Sequence, residues 1–185
     1  MPGPAVVIAA RYDASPVGAY SELAVAQPAR VGLRPGWCIT TNVVDSPAAR
    51  LGGRLNWGFP KELGSLVWDL EGDERELRWV ERGIAVRAQP HSGAFPFFLP
   101  FRNLQRRADG PVVIPTRLRG KARRAKVEIA LGENDPLVWL GGGHRGVLVA
   151  GAHFVLDPAR LPAGLASTLR APLTAPEPAM SGGRR

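Results

Sequence analysis

Cysteine is almost absent from the 185-residue chain, in which Cys38 is the sole example. One cysteine excludes an intramolecular disulfide and a cysteine-based zinc cluster, so nothing requires an oxidising compartment. Long hydrophobic runs are also missing, since no apolar stretch approaches the roughly 18 to 20 residues of a membrane-spanning helix. The first residues show neither a basic segment nor a signal-cleavage pattern. We therefore predict a soluble, unprocessed, cytoplasmic protein, with Cys38 as a small buried hydrophobe in a strand.

Acidic residues are fewer than basic ones, 16 against 24, which gives a formal net charge of +8. Basic residues cluster from Arg117 to Lys126, and clustered cations can displace counterions from nucleic-acid phosphates. However, no aromatic side chain lies among them to stack on bases, and the segment leads into an alternating strand pattern. We predict a solvated loop and strand edge here, and no nucleic-acid partner.

Metal and phosphate sites are not indicated. The three histidines His91, His144 and His153 lie in separate segments without the spacing of a helical metal-ligand pair, so we predict no metal. The segment from Gly141 to His144 has the composition of a phosphate loop, but a strand pattern follows it where a phosphate loop would need a helix. We predict a hairpin turn there, and the sequence implies no cofactor.

Glycine and proline are abundant, with 22 and 18 residues spread between short apolar runs. This punctuation favours many strands joined by turns, so we predict a mainly β fold. The candidate strands are Ala5 to Arg11, Tyr20 to Gln27, Trp37 to Val44, Leu66 to Leu70, Glu76 to Glu81, Ile84 to Gln89, Lys126 to Leu131, Val138 to Leu140 and Gly146 to Leu156.

The clearest helix is short, from Pro47 to Leu51. Ser46 can cap its first amides, Pro47 suits the first helical position, and the pair Gly52-Gly53 can supply a left-handed stop. The sequence therefore predicts a connector helix of little more than one turn.

The domain organisation follows from composition. We predict one β domain over residues 1–160, since the chain is long enough for a single compact core. Residues 161–185 are rich in proline, alanine and glycine, and we predict a mobile tail beyond about Leu165.

Two segments carry the candidate chemistry: Arg11 to Leu23, RYDASPVGAYSEL, and Gly53 to Gly64, GRLNWGFPKELG. The first ends in Tyr-x-Glu, and a strand and an Asp-x-x-Ala segment lead to Gly-Arg and aromatic-Pro-Lys in the second. This pattern resembles the acetoacetate decarboxylase superfamily, without a gap over the 39 positions from Glu22 to Lys61. The resemblance covers about Val7 to Leu70 closely and the strands to Leu156 more loosely.

The resemblance implies a divergent and short family member. The implied fold is an antiparallel β-barrel or cone with a few short helices, assembled as a homo-oligomer, with Lys61 in an interior pocket. The family lysine attacks the substrate ketone, so Lys61 is implied to form an imine with a small β-keto or α-keto acid. The protonated imine then accepts the electrons released when carbon dioxide leaves, and Glu22 serves in proton transfer.

The surroundings of Lys61 are suited to this chemistry independently of the resemblance, because it follows Trp57, Phe59 and Pro60. A lysine amine attacks a carbonyl only when neutral, and an ordinary pKa of about 10.4 leaves well under ~1% neutral at pH 7. Burial among aromatic side chains disfavours the ammonium form and lowers a lysine pKa, which is how acetoacetate decarboxylase activates its lysine. The alternative is a surface lysine in the turn after Pro60.

The substrate contacts are less defined. Arg54 or Arg11 is predicted to bind the substrate carboxylate, because a guanidinium can do so with two parallel hydrogen bonds. Trp57, Phe59 and Phe97 are predicted to wall an apolar pocket. Core packing is the alternative for most of the six aromatic residues of these segments, which also include Phe95, Phe98 and Phe101.

The sequence departs from the family pattern at two positions. Glu62 stands where the decarboxylases have a second lysine, and Val7 stands where they have a first site acid. Glu22, which matches the second acid, either transfers protons or lies solvated at a strand start. The same imine can also support aldol or dehydration chemistry. The alternative hypothesis is therefore a non-catalytic or divergent member of the fold that binds a small apolar or carbonyl ligand.

Overall fold

The computed structural model describes residues 3–162, which contain one α-helix, two short 3-10 helices and ten strands. The helix α1 spans Pro47–Trp57, and the 3-10 helices span Val80–Arg82 and Val138–Leu140. The strands are β1 Val6–Tyr12, β2 Tyr20–Val31, β3 Arg34–Val44, β4 Lys61–Leu63, β5 Leu66–Asp69, β6 Arg75–Trp79, β7 Ile84–Pro90, β8 Phe95–Arg107, β9 Gly110–Ala130 and β10 Gly142–Leu156.

All ten strands belong to one sheet, in the order β1-β2-β3-β8-β9-β7-β6-β5, with β4 beside β3 and β10 beside β9. The pairings are antiparallel except for β3 with β4 and β3 with β8, which are parallel. The predicted mainly β class is confirmed. Across the described residues the sheet is open, with β1 and β5 at its ends, so it is not the closed barrel of the prediction.

The strand β9 corrects the predicted role of the basic segment. Residues Arg117 to Lys126 lie inside this 21-residue strand, which pairs with β8 and then β7 on one side and with β10 on the other. The predicted strand edge is therefore wrong. Each buried alanine of this segment has an exposed lysine as its sequence neighbour: Ala122 follows Lys121, and Ala125 precedes Lys126.

The helix α1 begins as predicted and ends later. The backbone N–H of Ala49 donates to the Ser46 hydroxyl at 3.3 Å, and Pro47 occupies the first turn. The predicted stop at Gly52-Gly53 is wrong, because the helix continues to Trp57. Its left-handed cap is Gly58, with φ of 71°.

Two further local predictions are corrected. Val138–Leu140 forms a 3-10 helix where a strand was predicted, and it reverses the chain after β9. Because that reversal precedes Gly141, the segment from Gly141 to His144 is no hairpin turn: β10 starts at Gly142, opposite Ile129. The predicted tail lies outside the described residues except for Leu161 and Pro162.

Two hydrophobic cores lie on opposite faces of β1, β2 and β3. The first core joins Leu23, Val25 and Val43 to residues of β6, β7 and β9, and Val7 packs against it. The second core joins Ala24, Ala26 and Ile39 to Phe59, Val112 and Ile114. Cys38 on β3 is half-buried, and burial raises the pKa of its thiol. No helix in the described part of the chain is long and apolar enough to cross a membrane.

Candidate active site

Lys61 is buried at the start of β4, with 5% of its surface exposed. The strand runs parallel to β3, with Lys61 beside Asn42. The chain reaches this position through a fixed path: Gly58 caps α1, and Phe59 enters the second core and donates its N–H to the Gly53 carbonyl at 3.2 Å. The aromatic residue that precedes the lysine thus anchors it inside the molecule.

The helix makes room for the lysine side chain at Gly53. A β-carbon on Gly53 would lie 2.5 Å from Lys61 Cδ and 2.8 Å from Cε, closer than packed carbon atoms approach. The helix and the lysine therefore touch at Gly53, where an added β-carbon would force the lysine side chain to move.

Glu22 faces the amine from β2. Its Oε2 lies 3.0 Å from Lys61 Nζ, and the two side chains are only 13% and 6% exposed. A charge pair so shielded from water interacts more strongly than one at the surface, and a proton can pass along its hydrogen bond. The pair couples a candidate nucleophile to a candidate general base.

The second oxygen of Glu22 is held by Asn42 on β3. Asn42 Nδ2 donates to Glu22 Oε1 at 2.8 Å, and the asparagine is 1% exposed. Both carboxylate oxygens therefore have a donor, a cation on one side and a neutral amide on the other.

Two tyrosines complete the polar cluster, and they are the sole tyrosines of the chain. Tyr20 lies two residues before Glu22 on β2, and Lys61 Nζ lies 5.1 Å from the centre of the Tyr20 ring. Burial raises the pKa of Tyr20 well above its ordinary value, and the charge of Glu22 adds to the effect. Burial and Glu22 likewise raise the pKa of Tyr12.

An aromatic cluster extends from these tyrosines. Tyr12 stacks on Tyr20 with ring centres 4.6 Å apart, and Phe154 of β10 lies 6.4 Å from Tyr12. Phe101 of β8 lies 6.2 Å from Phe154. Side chains from four strands thus form one wall beside the Lys61–Glu22 pair.

One protein family resembles the first part of this chain. A family model described as acetoacetate decarboxylase matches residues 2–89, which include Glu22, Asn42 and Lys61. The match covers a little under half of the chain, which is similar to the acetoacetate decarboxylase family over this part. No curated protein sequence matches it.

Solved structures agree on the fold. An acetoacetate decarboxylase from Legionella pneumophila is 20% identical, with a TM-score of 0.54 over 84% of this chain and 70% of that one. A second acetoacetate decarboxylase structure is 17% identical, with a TM-score of 0.55 over 78% of this chain and 68% of that one. At such identities the likeness establishes an acetoacetate decarboxylase-like fold.

The predicted substrate contacts are only partly brought together. Arg54, in the last turn of α1, places Nη1 3.5 Å from the backbone oxygen of Lys61. Phe59 is buried, and the Trp57 ring lies 6.1 Å from it. Arg11 is exposed and paired with Asp13 at 3.1 Å. Phe97 lines an open cleft elsewhere in the sheet, with Phe98, Arg119 and His153.

The two residues that depart from the decarboxylase pattern, Glu62 and Val7, lie in different environments. Glu62 is exposed beside the buried Lys61, as alternation along a strand requires. Val7 packs into the first core, on the face of β1 opposite to Glu22. The residue of β1 that pairs with Glu22 is Ala10.

Sequence reasoning missed four residues of the site: Tyr12, Tyr20, Asn42 and Gly53. A signal was available for the tyrosines, because both lie in the segment from Arg11 to Leu23 and the family pattern itself contains Tyr-x-Glu. Gly53 was assigned to a helix stop. Asn42 gave no local signal, since its role depends on strand register.

Proposed function

We propose that this protein is a Schiff-base-forming, decarboxylase-like lyase that acts on a small β-keto or α-keto acid through Lys61. The observation that carries the proposal is the buried pair of Lys61 Nζ and Glu22 Oε2 at 3.0 Å. Imine formation needs a neutral amine, and a carboxylate in direct hydrogen bond can take the ammonium proton as the substrate arrives.

The chemistry would begin when the Lys61 nitrogen attacks the substrate ketone to form a carbinolamine. Loss of its hydroxyl as water, with a proton from Glu22, gives the protonated imine. In a β-keto acid the bond to the carboxylate then breaks, carbon dioxide leaves, and the electron pair moves into an enamine with the imine as its sink. Protonation at carbon and hydrolysis release the ketone and restore the amine.

The remaining roles follow from position. Arg54 is proposed as the carboxylate anchor in preference to Arg11, because its guanidinium already reaches the backbone of Lys61 while Arg11 is engaged by Asp13. Trp57 and Phe59 are proposed to exclude water from the imine. We also propose that the protein works in the cytoplasm, and that it is a homo-oligomer, as its family resemblance implies.

One observation favours the ligand-binding alternative. The residues of β1 on the same face as Glu22 are Val6, Ile8, Ala10 and Tyr12, so this strand brings no second acid to the site. A site with one acid has fewer groups to deliver the final proton to carbon. A protein of this kind could bind a carbonyl compound, even as an imine, without releasing carbon dioxide.

The test is release of carbon dioxide from acetoacetate by the purified protein, compared with Lys61→Arg and Glu22→Gln. The proposal predicts turnover that Lys61→Arg abolishes and that Glu22→Gln lowers by about 100-fold, the usual contribution of a proton-transfer group. Lys61→Arg keeps the positive charge beside Glu22, so its loss of activity would report on nucleophilicity. Carbon dioxide release that survives in Lys61→Arg would overturn the proposal.

A further inference from the structure

Asn42 is a polar residue at a buried position of the fold, where an asparagine is energetically unfavourable. It is 1% exposed, and the following residues Val43 and Val44 are fully buried. An amide taken out of water is unfavourable unless all its groups are hydrogen-bonded, so packing alone would favour an apolar side chain here. Its Oδ1 is buried and meets no donor among the described residues. Something other than stability accounts for an asparagine at this position.

The strand register brings Asn42 to the reacting pair. It lies beside Lys61 on the parallel β4, and on its other side it pairs with Ala24, two residues along β2 from Glu22. Side chains two residues apart on a strand share a face. Asn42, Glu22 and Lys61 thus come from three adjacent strands to one point.

The contact that results divides Glu22 between two donors. Lys61 Nζ donates a hydrogen bond to Oε2 at 3.0 Å, and Asn42 Nδ2 donates one to Oε1 at 2.8 Å. With one oxygen fixed, the carboxylate cannot rotate away from the amine. The donor is neutral, so it fixes Glu22 without the second positive charge that would weaken its basicity.

We propose that Asn42 is a positioning residue that holds Glu22 so that its Oε2 exchanges the proton with Lys61. This inference rests on the proposed function, since it assigns Asn42 a part in activating the same amine. Because a carboxylate is an acceptor, the amide presents Nδ2 to it, and this leaves Oδ1 as a free acceptor beside the lysine. The hydroxyl of a carbinolamine on Lys61 is the group of matching chemistry.

The experiment compares Asn42→Leu and Asn42→Asp, which keep the side-chain shape, with Asn103→Leu as matched control. Asn103 is also a buried asparagine with an unpartnered Oδ1, but its Nδ2 donates to Thr116 at 2.9 Å, beside Trp37 at the far end of β3. The first readout is the rate at which borohydride traps an acetoacetate or pyruvate adduct on Lys61. The second is acetylation of Lys61 by acetic anhydride as a function of pH, mapped by mass spectrometry.

Asn42→Leu is expected to lower the trapping rate at saturating keto acid about tenfold, with the half-saturating concentration unchanged, because proton transfer loses its geometry while binding remains. Asn42→Asp is expected to slow the acetylation of Lys61 at a given pH, since a second carboxylate favours the unreactive ammonium form. Asn103→Leu should change thermal stability alone.

The inference would be overturned if the wild type and both Asn42 variants showed equal trapping rates and equal acetylation of Lys61. It would also be overturned if Asn103→Leu lost as much trapping as Asn42→Leu, because the loss would then reflect core packing in general. A failure of the proposed function is distinguishable. If the wild type forms no adduct, the acetylation profile still reports whether Asn42 acts on the Lys61–Glu22 pair, and an unshifted profile in Asn42→Asp would then refute it.

Discussion

The side chain of Lys61 crosses α1 at Gly53 so closely that a β-carbon on that glycine would lie 2.5 Å from Lys61 Cδ. Lys61 is buried and bound at its end to Glu22, so it cannot swing aside without giving up that contact. The glycine therefore controls where the amine lies.

Gly53→Ala is predicted to displace the lysine. Alanine in a helix normally stabilises a protein by about 0.5–1 kcal/mol relative to glycine, but here the clash outweighs that gain. We expect loss of keto-acid trapping and lower stability, measured by borohydride adduct formation and urea unfolding. Gly52→Ala is the control, because its nearest contact is 3.8 Å from Val17; it should stabilise the protein and leave trapping unchanged. Unchanged trapping in Gly53→Ala, or loss of trapping in Gly52→Ala, would contradict this account of the site.

The two tyrosines provide a spectroscopic test of the site, because no other tyrosine contributes to the signal. Burial and the charge of Glu22 raise the pKa of both hydroxyls. We expect the tyrosinate absorbance to stay absent in the native protein at pH ~10, where the denatured protein is half-ionised.

The sign of the stability effect follows. Because the folded pKa values of Tyr12 and Tyr20 are raised, their contribution to stability is complete below pH ~10 and is lost as the pH rises above it. Glu22→Gln should bring ionisation of Tyr20 to lower pH, since it removes a neighbouring negative charge. Native tyrosines that titrate near their ordinary pKa would show that the site is open to water.

Acid stability is predicted to depend on Asp135, which accepts hydrogen bonds from Nε and Nη2 of the Arg82 guanidinium and from the backbone N–H of Leu137. Burial raises the pKa of Asp135, but these hydrogen bonds outweigh it and hold the pKa below its usual range. Asp135→Asn is expected to cost about 2–3 kcal/mol at pH 7 by urea denaturation. The cost should shrink as the pH falls below ~4, where the unfolded carboxyl is protonated.

A surface pair serves as its control. Arg107 and Asp109 lie 2.9 Å apart but are 33% and 51% exposed, so Asp109→Asn should change stability by less than about 0.5 kcal/mol. If Asp135→Asn proves equally neutral, Arg82 and Asp135 do not anchor the turn before β10.

Much of the fold was predictable because local pattern and tertiary environment agree. Alternation in β6 and β7 places Leu77, Trp79, Ile84 and Val86 in the first core while the charged residues between them face water. The strand β8 was missed because Pro96 and Pro100 interrupt it. Proline is tolerated there because that part of β8 pairs with β9 on one side only. The bridge from β8 to β3 on the other side is at Asn103.

Within the candidate site, the residues that belong to a sequence motif were predictable, and those brought in by strand register were not. Lys61 and Glu22 belong to a motif, while Asn42 reaches them only because β3 lies between β2 and β4. Gly52-Gly53 has the sequence of a helix stop, yet contact with Lys61 requires the second glycine inside the helix. Val7 aligns with a family acid, but the pairing of β1 with β2 directs its side chain into the first core, on the face opposite to Glu22.

Borohydride trapping of an imine on Lys61 tests the central claim most directly. The protein is incubated with acetoacetate or pyruvate and borohydride, its intact mass is recorded, and the modified residue is mapped, with Lys61→Ala as control. The proposal predicts a keto-acid-dependent adduct on Lys61 that is absent from the variant. No adduct with any of several small keto acids, or an adduct on another lysine, would contradict it and favour the ligand-binding alternative.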